Sequence, residues 1–136
     1  MGILARFNDI INSNVNALLD KMEDPSKMID QYLRNLTKSL AEVKEETASV
    51  MAEEARTRRM TEENQADIQK YTDLAKKALQ SGSEEDARVF IAKKQDLEAA
   101  AADLAKAYAA AKDNSDKMKQ LHDKLISDIE TLNSKR

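Results

Sequence analysis

Ser81-Gly82-Ser83-Glu84-Glu85-Asp86 is the stretch on which the fold of this chain turns. From Pro25 to the end, Gly82 is the sole glycine and no second proline occurs. Glycine just past a helical run supplies the left-handed residue that closes a helix C-terminus. Lys76 and Lys77 fall in the last turn before it, where the helix dipole favours cations. The serine and three acids that follow read as a helix start, with Ser83 as N-cap and negative charge in the first turn. Ser81 and Glu84 also fit the capping-box spacing, so either serine can open the helix. A stop signal abutting a start signal predicts a tight helix-to-helix turn at Ser81, Gly82 and Ser83. The chain folds back there.

On either side of the turn the apolar residues keep helical spacing. Before it, Ile29, Leu33, Leu36, Leu40, Val43, Thr47 and Val50 follow a four-three rhythm. The pattern thins through Glu53-Glu54-Ala55-Arg56-Thr57-Arg58-Arg59 and recovers at Ile68, Tyr71, Leu74, Ala75, Ala78 and Leu79. After the turn the register is unbroken: Phe90, Lys94, Leu97, Ala101, Leu104, Tyr108, Ala111, Ser115, Met118, His122, Leu125, Ile129, Leu132. Such length argues for a coiled coil rather than a globular core helix. Folding at Gly82 pairs residues whose numbers sum to roughly 165, so Leu40 meets Leu125 and Ile68 meets Leu97. The polar Arg56–Met60 stretch then faces the alanine-rich run Ala99–Ala111, where arginine stems can lie over small residues. The expected fold is all-α: a long antiparallel coiled-coil hairpin with arms over about 25–81 and 84–134, each ~75–85 Å long.

Composition agrees. Of 136 residues, 35% are charged and 4% aromatic, with two glycines and one proline, the profile of long helices. No run is long and apolar enough to span a membrane, and no secretory signal opens the chain. The absence of cysteine excludes disulfides and zinc–cysteine sites. A net charge of -3 argues against nucleic acid as a partner.

Residues 1–23 read as a separate short amphipathic helix ahead of the 24–136 hairpin. Ile3, Leu4, Phe7, Ile10, Ile11, Val15, Leu18, Leu19 and Met22 fall on one arc, with Arg6 and Lys21 as the cations beside it. Asp9, Asn12, Ser13, Asn16 and Asp20 take the opposite side, while Asn14 intrudes on the apolar arc. Four asparagines, Ser13 and Gly2 lower its helicity, and a lone helix of ~20 residues is marginal in water. The segment therefore needs a surface, either the hairpin itself or a membrane interface. Asp24 as N-cap and Pro25 in the first helical position end it and begin the next helix.

Chemistry has no visible home. Phosphate loops, dinucleotide fingerprints and metal-binding histidine pairs are absent. His122, the one histidine, reads as a seam-edge residue, and the Glu45-Glu46 and Glu62-Glu63 pairs as a solvated face. Arg56, Arg58 and Arg59 read as ion-pair partners of the neighbouring glutamates. Neither a catalytic residue, a metal nor a cofactor is expected.

Met1-Gly2-Ile3-Leu4-Ala5-Arg6-Phe7, Ile10, Asn14, Asn16-Ala17-Leu18-Leu19 and Glu23-Asp24-Pro25 resemble the amino terminus of the bacterial phage shock protein A family, which includes the vesicle-inducing protein of plastids. Glu85-Asp86-Ala87-Arg88 followed by Lys93-Lys94 is similar to the family's hairpin-tip stretch. The resemblance implies an ESCRT-III-like hairpin, non-enzymatic, that polymerises on the cytoplasmic face of the cell membrane under envelope stress. It implies that the leading segment inserts into anionic or packing-defective membrane. It also implies self-assembly of the full-length protein and, for some members, restraint of an activator ATPase. Family members are longer, so a C-terminally truncated fragment is expected.

Overall fold

The computed structural model describes residues 2–136. A 3-10 turn over Ile3–Arg6 leads into α1 (Phe7–Asn12) and α2 (Val15–Asp20), followed by α3 (Pro25–Gln80) and α4 (Glu84–Lys135). The fold is all-α, a helical hairpin of α3 and α4, and no strand occurs among the described residues.

Gly82 sits at φ 80, in the left-handed region. Its N–H donates to the carbonyl of Leu79 at 3.2 Å, and that of Ser83 to Ala78 at 2.8 Å. This pair is the Schellman closure, which satisfies carbonyls the helix would otherwise leave open. The Ser81 hydroxyl adds a bond to the carbonyl of Lys77 at 2.9 Å. Ser83 then stands as the residue before α4, its carbonyl accepting from the N–H of Ala87 at 3.1 Å. At the other end of α3, Pro25 takes the first helical position and the Ser26 hydroxyl donates to Asp24 at 3.0 Å.

Two compact units divide the chain. The first comprises the residues up to Met51 together with Asp113–Arg136. Its core is built from Ile3, Leu40, Val43, Met118, Leu121 and Leu125, with Val15, Ile29 and Leu132 as a second cluster. Leu40 and Leu125 share the first cluster, a pairing whose numbers sum to 165. Arg136 meets Asp30 at 3.2 Å in a nearly identical register. One seam residue is poorly satisfied. Ser115 is 1% exposed and its Oγ has no hydrogen-bond partner among the described residues.

The second unit, Ala52–Lys112, is thinner and more polar. Thr57 and Asn64 are buried on its seam and Thr61 is half-buried. The threonine hydroxyls bond carbonyls one turn back in α3, which offsets their burial. Asn64 instead reaches across, its Nδ2 donating to the Leu97 carbonyl at 3.0 Å. A buried asparagine that bonds the facing helix fixes register. Threonines and asparagine, rather than arginine stems, thus fill the thin middle of α3. Arg58 lies over the Tyr108 ring at 5.9 Å, and the rings of Tyr71 and Phe90 stand 6.1 Å apart. Leu79, expected on the seam, is 56% exposed. Ala75 and Ala78 take the inner positions there, and Ala87 is the first buried residue of α4, so nothing covers Leu79.

Gly82→Ala should cost about 1–2 kcal/mol through left-handed strain alone, because a Cβ at this position would meet no atom within 4 Å. Gly82→Asn should cost less, and urea titration by circular dichroism measures both. Ser115→Ala should stabilise the chain by about 1 kcal/mol, since it removes the unpaired hydroxyl; an unchanged midpoint would mean that the hydroxyl finds a partner.

Candidate membrane-binding segment

Residues 3–20 are helical, and the helix is interrupted. Ser13 and Asn14 are both extended, with ψ 146 and 100. Each uses its side chain to replace a helical backbone bond. The Ser13 hydroxyl donates to the Ile10 carbonyl at 2.7 Å, and the Asn14 side chain caps α2 by accepting from the Ala17 N–H at 3.0 Å. Such local bonds compete with helix continuation. The interruption explains how Asn14 can sit inside an apolar arc, since the arc is re-phased after it.

The apolar face of this segment is turned onto the hairpin. Ile3 is 0% exposed in the cluster of Leu40, Val43, Met118, Leu121 and Leu125. Leu4, Phe7, Ile10 and Ile11 pack around it. Val15 is buried against Ile29 and Leu132, with Leu19 beside it, while Leu18 remains 37% exposed. Met22 is half-buried and Lys21 exposed. Asn8, Asp9, Asn12, Asn16 and Asp20 face solvent.

Polar contacts rim this face. The Ile3 N–H donates to Glu46 Oε2 at 2.9 Å. Arg6 donates to the Ser39 hydroxyl at 2.9 Å and lies 3.7 Å from Glu42. The Lys117 ammonium sits 5.3 Å over the Phe7 ring. Lys124 pairs with Asp128 at 2.6 Å and reaches the Ser13 hydroxyl at 3.5 Å. Asp128 is only 5% exposed, so this ion pair lies largely out of water. A cleft of about 250 Å³ remains between segment and hairpin, lined by Arg6, Ile10, Val15, Leu18, Tyr32 and Leu36 among others.

Leu121, Lys124, Asp128 and Ser39 belong to this arrangement and were not singled out from sequence, while Glu46, read there as part of a solvated face, is half-buried and accepts the Ile3 N–H. The legible trace was Leu121 and Ile126, apolar residues off the α4 seam register. His122 is half-exposed with its Nδ1 3.3 Å from Asp123. Arg56 is bonded to Glu53 and Arg58 to Glu54, an ion-paired face. The hydrogen bond from Arg56 holds the Glu53 carboxyl below its ordinary range. Among the described residues no group of acids, histidines or cysteines is placed to hold a metal, and no helix is long and apolar enough to cross a membrane.

A two-helix hairpin that carries a separate, one-sided apolar segment at its amino end defines a class of amphipathic, coiled-coil-like proteins. The chain belongs to the PspA/IM30 family, whose model matches residues 2–136. It is 51% identical over 136 residues to the Phage shock protein A homolog of Bacillus subtilis (strain 168), covering 100% of this chain and 60% of that protein. It is 35% identical over 108 residues to the homolog of the same name from Deinococcus radiodurans, covering 79% of this chain and 47% of the relative. The Membrane-associated protein Vipp1 of Synechocystis sp. is 33% identical over 97 residues, covering 71% of this chain and 36% of the relative. The chain therefore spans at most about 60% of the length of these relatives.

Two substitutions should separate the segment from the core it covers. Leu125→Ala empties the centre of the cluster and should cost about 2–5 kcal/mol of global stability. Ile3→Ala should instead raise amide exchange over residues 4–12 by an order of magnitude or more, because its loss is limited by release of the segment. Equal losses of melting temperature for both would show that segment and hairpin unfold as one.

Proposed function

We propose that this is a non-enzymatic, peripheral membrane-associated structural protein of an envelope stress response. In this reading residues 1–23 bind the inner face of the cell membrane, and the hairpin assembles, in the full-length protein, into an ESCRT-III-like scaffold that stabilises and remodels it. The observation that carries the reading is the segment itself. Nine apolar side chains recur at helical spacing along a stretch too polar elsewhere to form a core of its own. Family membership and relatives named membrane-associated support it.

Magnitudes set the mode of binding. Partial burial of nine apolar side chains at ~1 kcal/mol each gives on the order of 10 kcal/mol gross. Ordering ~20 residues opposes this by at least as much before helix hydrogen bonds are counted. Charge adds little, since Arg6 and Lys21 are offset by Asp9, Asp20 and Glu23. A single copy thus binds weakly and prefers packing defects, and tight binding comes from many copies on one scaffold.

Vesicle cosedimentation tests this. The full chain should bind anionic and defect-rich vesicles, and Ile11→Glu or Phe7→Glu should lower binding at least tenfold while far-ultraviolet circular dichroism keeps the hairpin helical. Undiminished binding of both variants would remove the segment from the membrane role.

A further inference from the structure

The face that the proposed function gives to lipid is already occupied. Ile3 has no exposed surface, and Leu4, Phe7, Ile10 and Ile11 pack with it on α3 and α4. A side chain cannot lie in that cluster and in a bilayer at once. Hairpin and lipid are therefore alternative partners for one surface. The attachment is also uneven along the segment. In α2, near the covalent tether at Pro25, Val15 is buried at 8% but Leu18 is 37% exposed, whereas Ile3 at the far end is fully enclosed. Whatever holds the far end therefore adds to the Val15 contact in keeping the segment docked.

Two contacts of one carboxylate place Glu46 at that end. Its Oε2 accepts the Ile3 N–H at 2.9 Å, an N–H with no carbonyl available to it in the opening turn. Its Oε1 lies 2.7 Å from where a Cβ on Gly2 would stand, so the backbone approaches the carboxylate as closely as glycine alone allows. Arg6, bonded to Ser39 and near Glu42, adds a second attachment one turn on. These acceptors lie on the α3 flank rather than on the α3–α4 seam, so they hold the segment without being needed to hold the hairpin.

Resting on the membrane reading above, we propose that docking of residues 3–20 is an autoinhibitory contact, with Glu46 as the pin that sets how readily the segment is released to lipid. Apparent affinity falls by the fraction of molecules whose segment is free, so weakening the pin raises binding without altering any lipid-facing side chain. Loss of one hydrogen bond to this half-buried carboxylate, whose contact with water keeps the bond's net worth near that of a neutral one, should raise the free fraction roughly three- to tenfold.

The test uses the full 136-residue chain, neutral phosphatidylcholine vesicles rich in packing defects, and amide exchange over residues 3–20 measured without lipid. Glu46→Ala removes the acceptor. Gly2→Ala inserts a methyl that pushes the carboxylate off the Ile3 N–H and leaves the charge unchanged. Both should speed exchange of the segment and raise vesicle binding roughly three- to tenfold. Glu45→Ala, the same charge change at the exposed neighbouring position, should do neither. A bismaleimide bridge between cysteines placed at Arg6 and Ser39, in a chain that has no other cysteine, should lower binding relative to the same variant with capped thiols. Faster exchange without stronger binding, while Ile11→Glu still abolishes binding, would overturn the autoinhibition and leave the membrane role standing. Unchanged exchange in both variants would overturn the role of Glu46. Failure of every chain, the wild type included, to bind any vesicle would end the membrane reading and this proposal with it.

Discussion

Two helices alone can cover only one stripe of each other, and this limit governs the rest of the structure. Within Ala52–Lys112, α4 buries Ala87 and Ala111 and half-buries the other seam residues, and Val89 and Ile91 are left 51% and 39% exposed. Within Asp113–Arg136 the same helix buries a second stripe, with Leu121 at 0% and Asp128 at 5%. The difference is the amino-terminal segment, which supplies a third layer there and centres it on Ile3. Fully burying a side chain such as Ile3 or Leu121 contributes about 1.5–3 kcal/mol. A thin hairpin has few other places to gain as much.

That limit also explains what could be read in advance. Every position assigned to the α4 seam, from Phe90 to Leu132, is buried or half-buried, because a single heptad stripe is the signal a two-helix contact leaves in sequence. Gly82 was legible because only one residue type takes a left-handed φ freely. Leu121 was legible only as an apolar residue off that stripe and Asp128 not at all, because periodicity finds one stripe and the second is imposed by a partner far away in the chain. The Ser13–Asn14 interruption was half legible. Asn14 stood out as polar on an apolar arc, but its capping bond to Ala17 is a local geometry that no 100° projection contains. Leu79 misled for the opposite reason, since it keeps the helical spacing while Ala75 and Ala78 take the inner positions against α4.

Charge plays a different part in the two units. Around Arg56 and Arg58 the ion pairs are local, within a turn of one helix, and water reaches both arginines. Pairs of this kind contribute about 0–1 kcal/mol, which suits a solvated face rather than a binding site. Specificity in that unit comes instead from Asn64, whose bond to the Leu97 carbonyl is lost if the helices slip. Polar seam residues give up apolar contact to hold one register.

Beneath the amino-terminal segment the balance is less simple. Lys124 and Asp128 lie under Ser13, and taking an ion pair out of water carries a desolvation penalty that its own attraction does not reliably repay. When the segment leaves, the apolar cluster loses cover, which opposes release. The ion pair regains water, which favours it. The groove is thus apolar where it grips Ile3 and polar where it meets Ser13, so that the gain from docking is partly cancelled along its length. A groove lined by leucine throughout would hold the segment against any membrane. One with a charged pair in its floor holds it less tightly, as the proposed release to a bilayer requires.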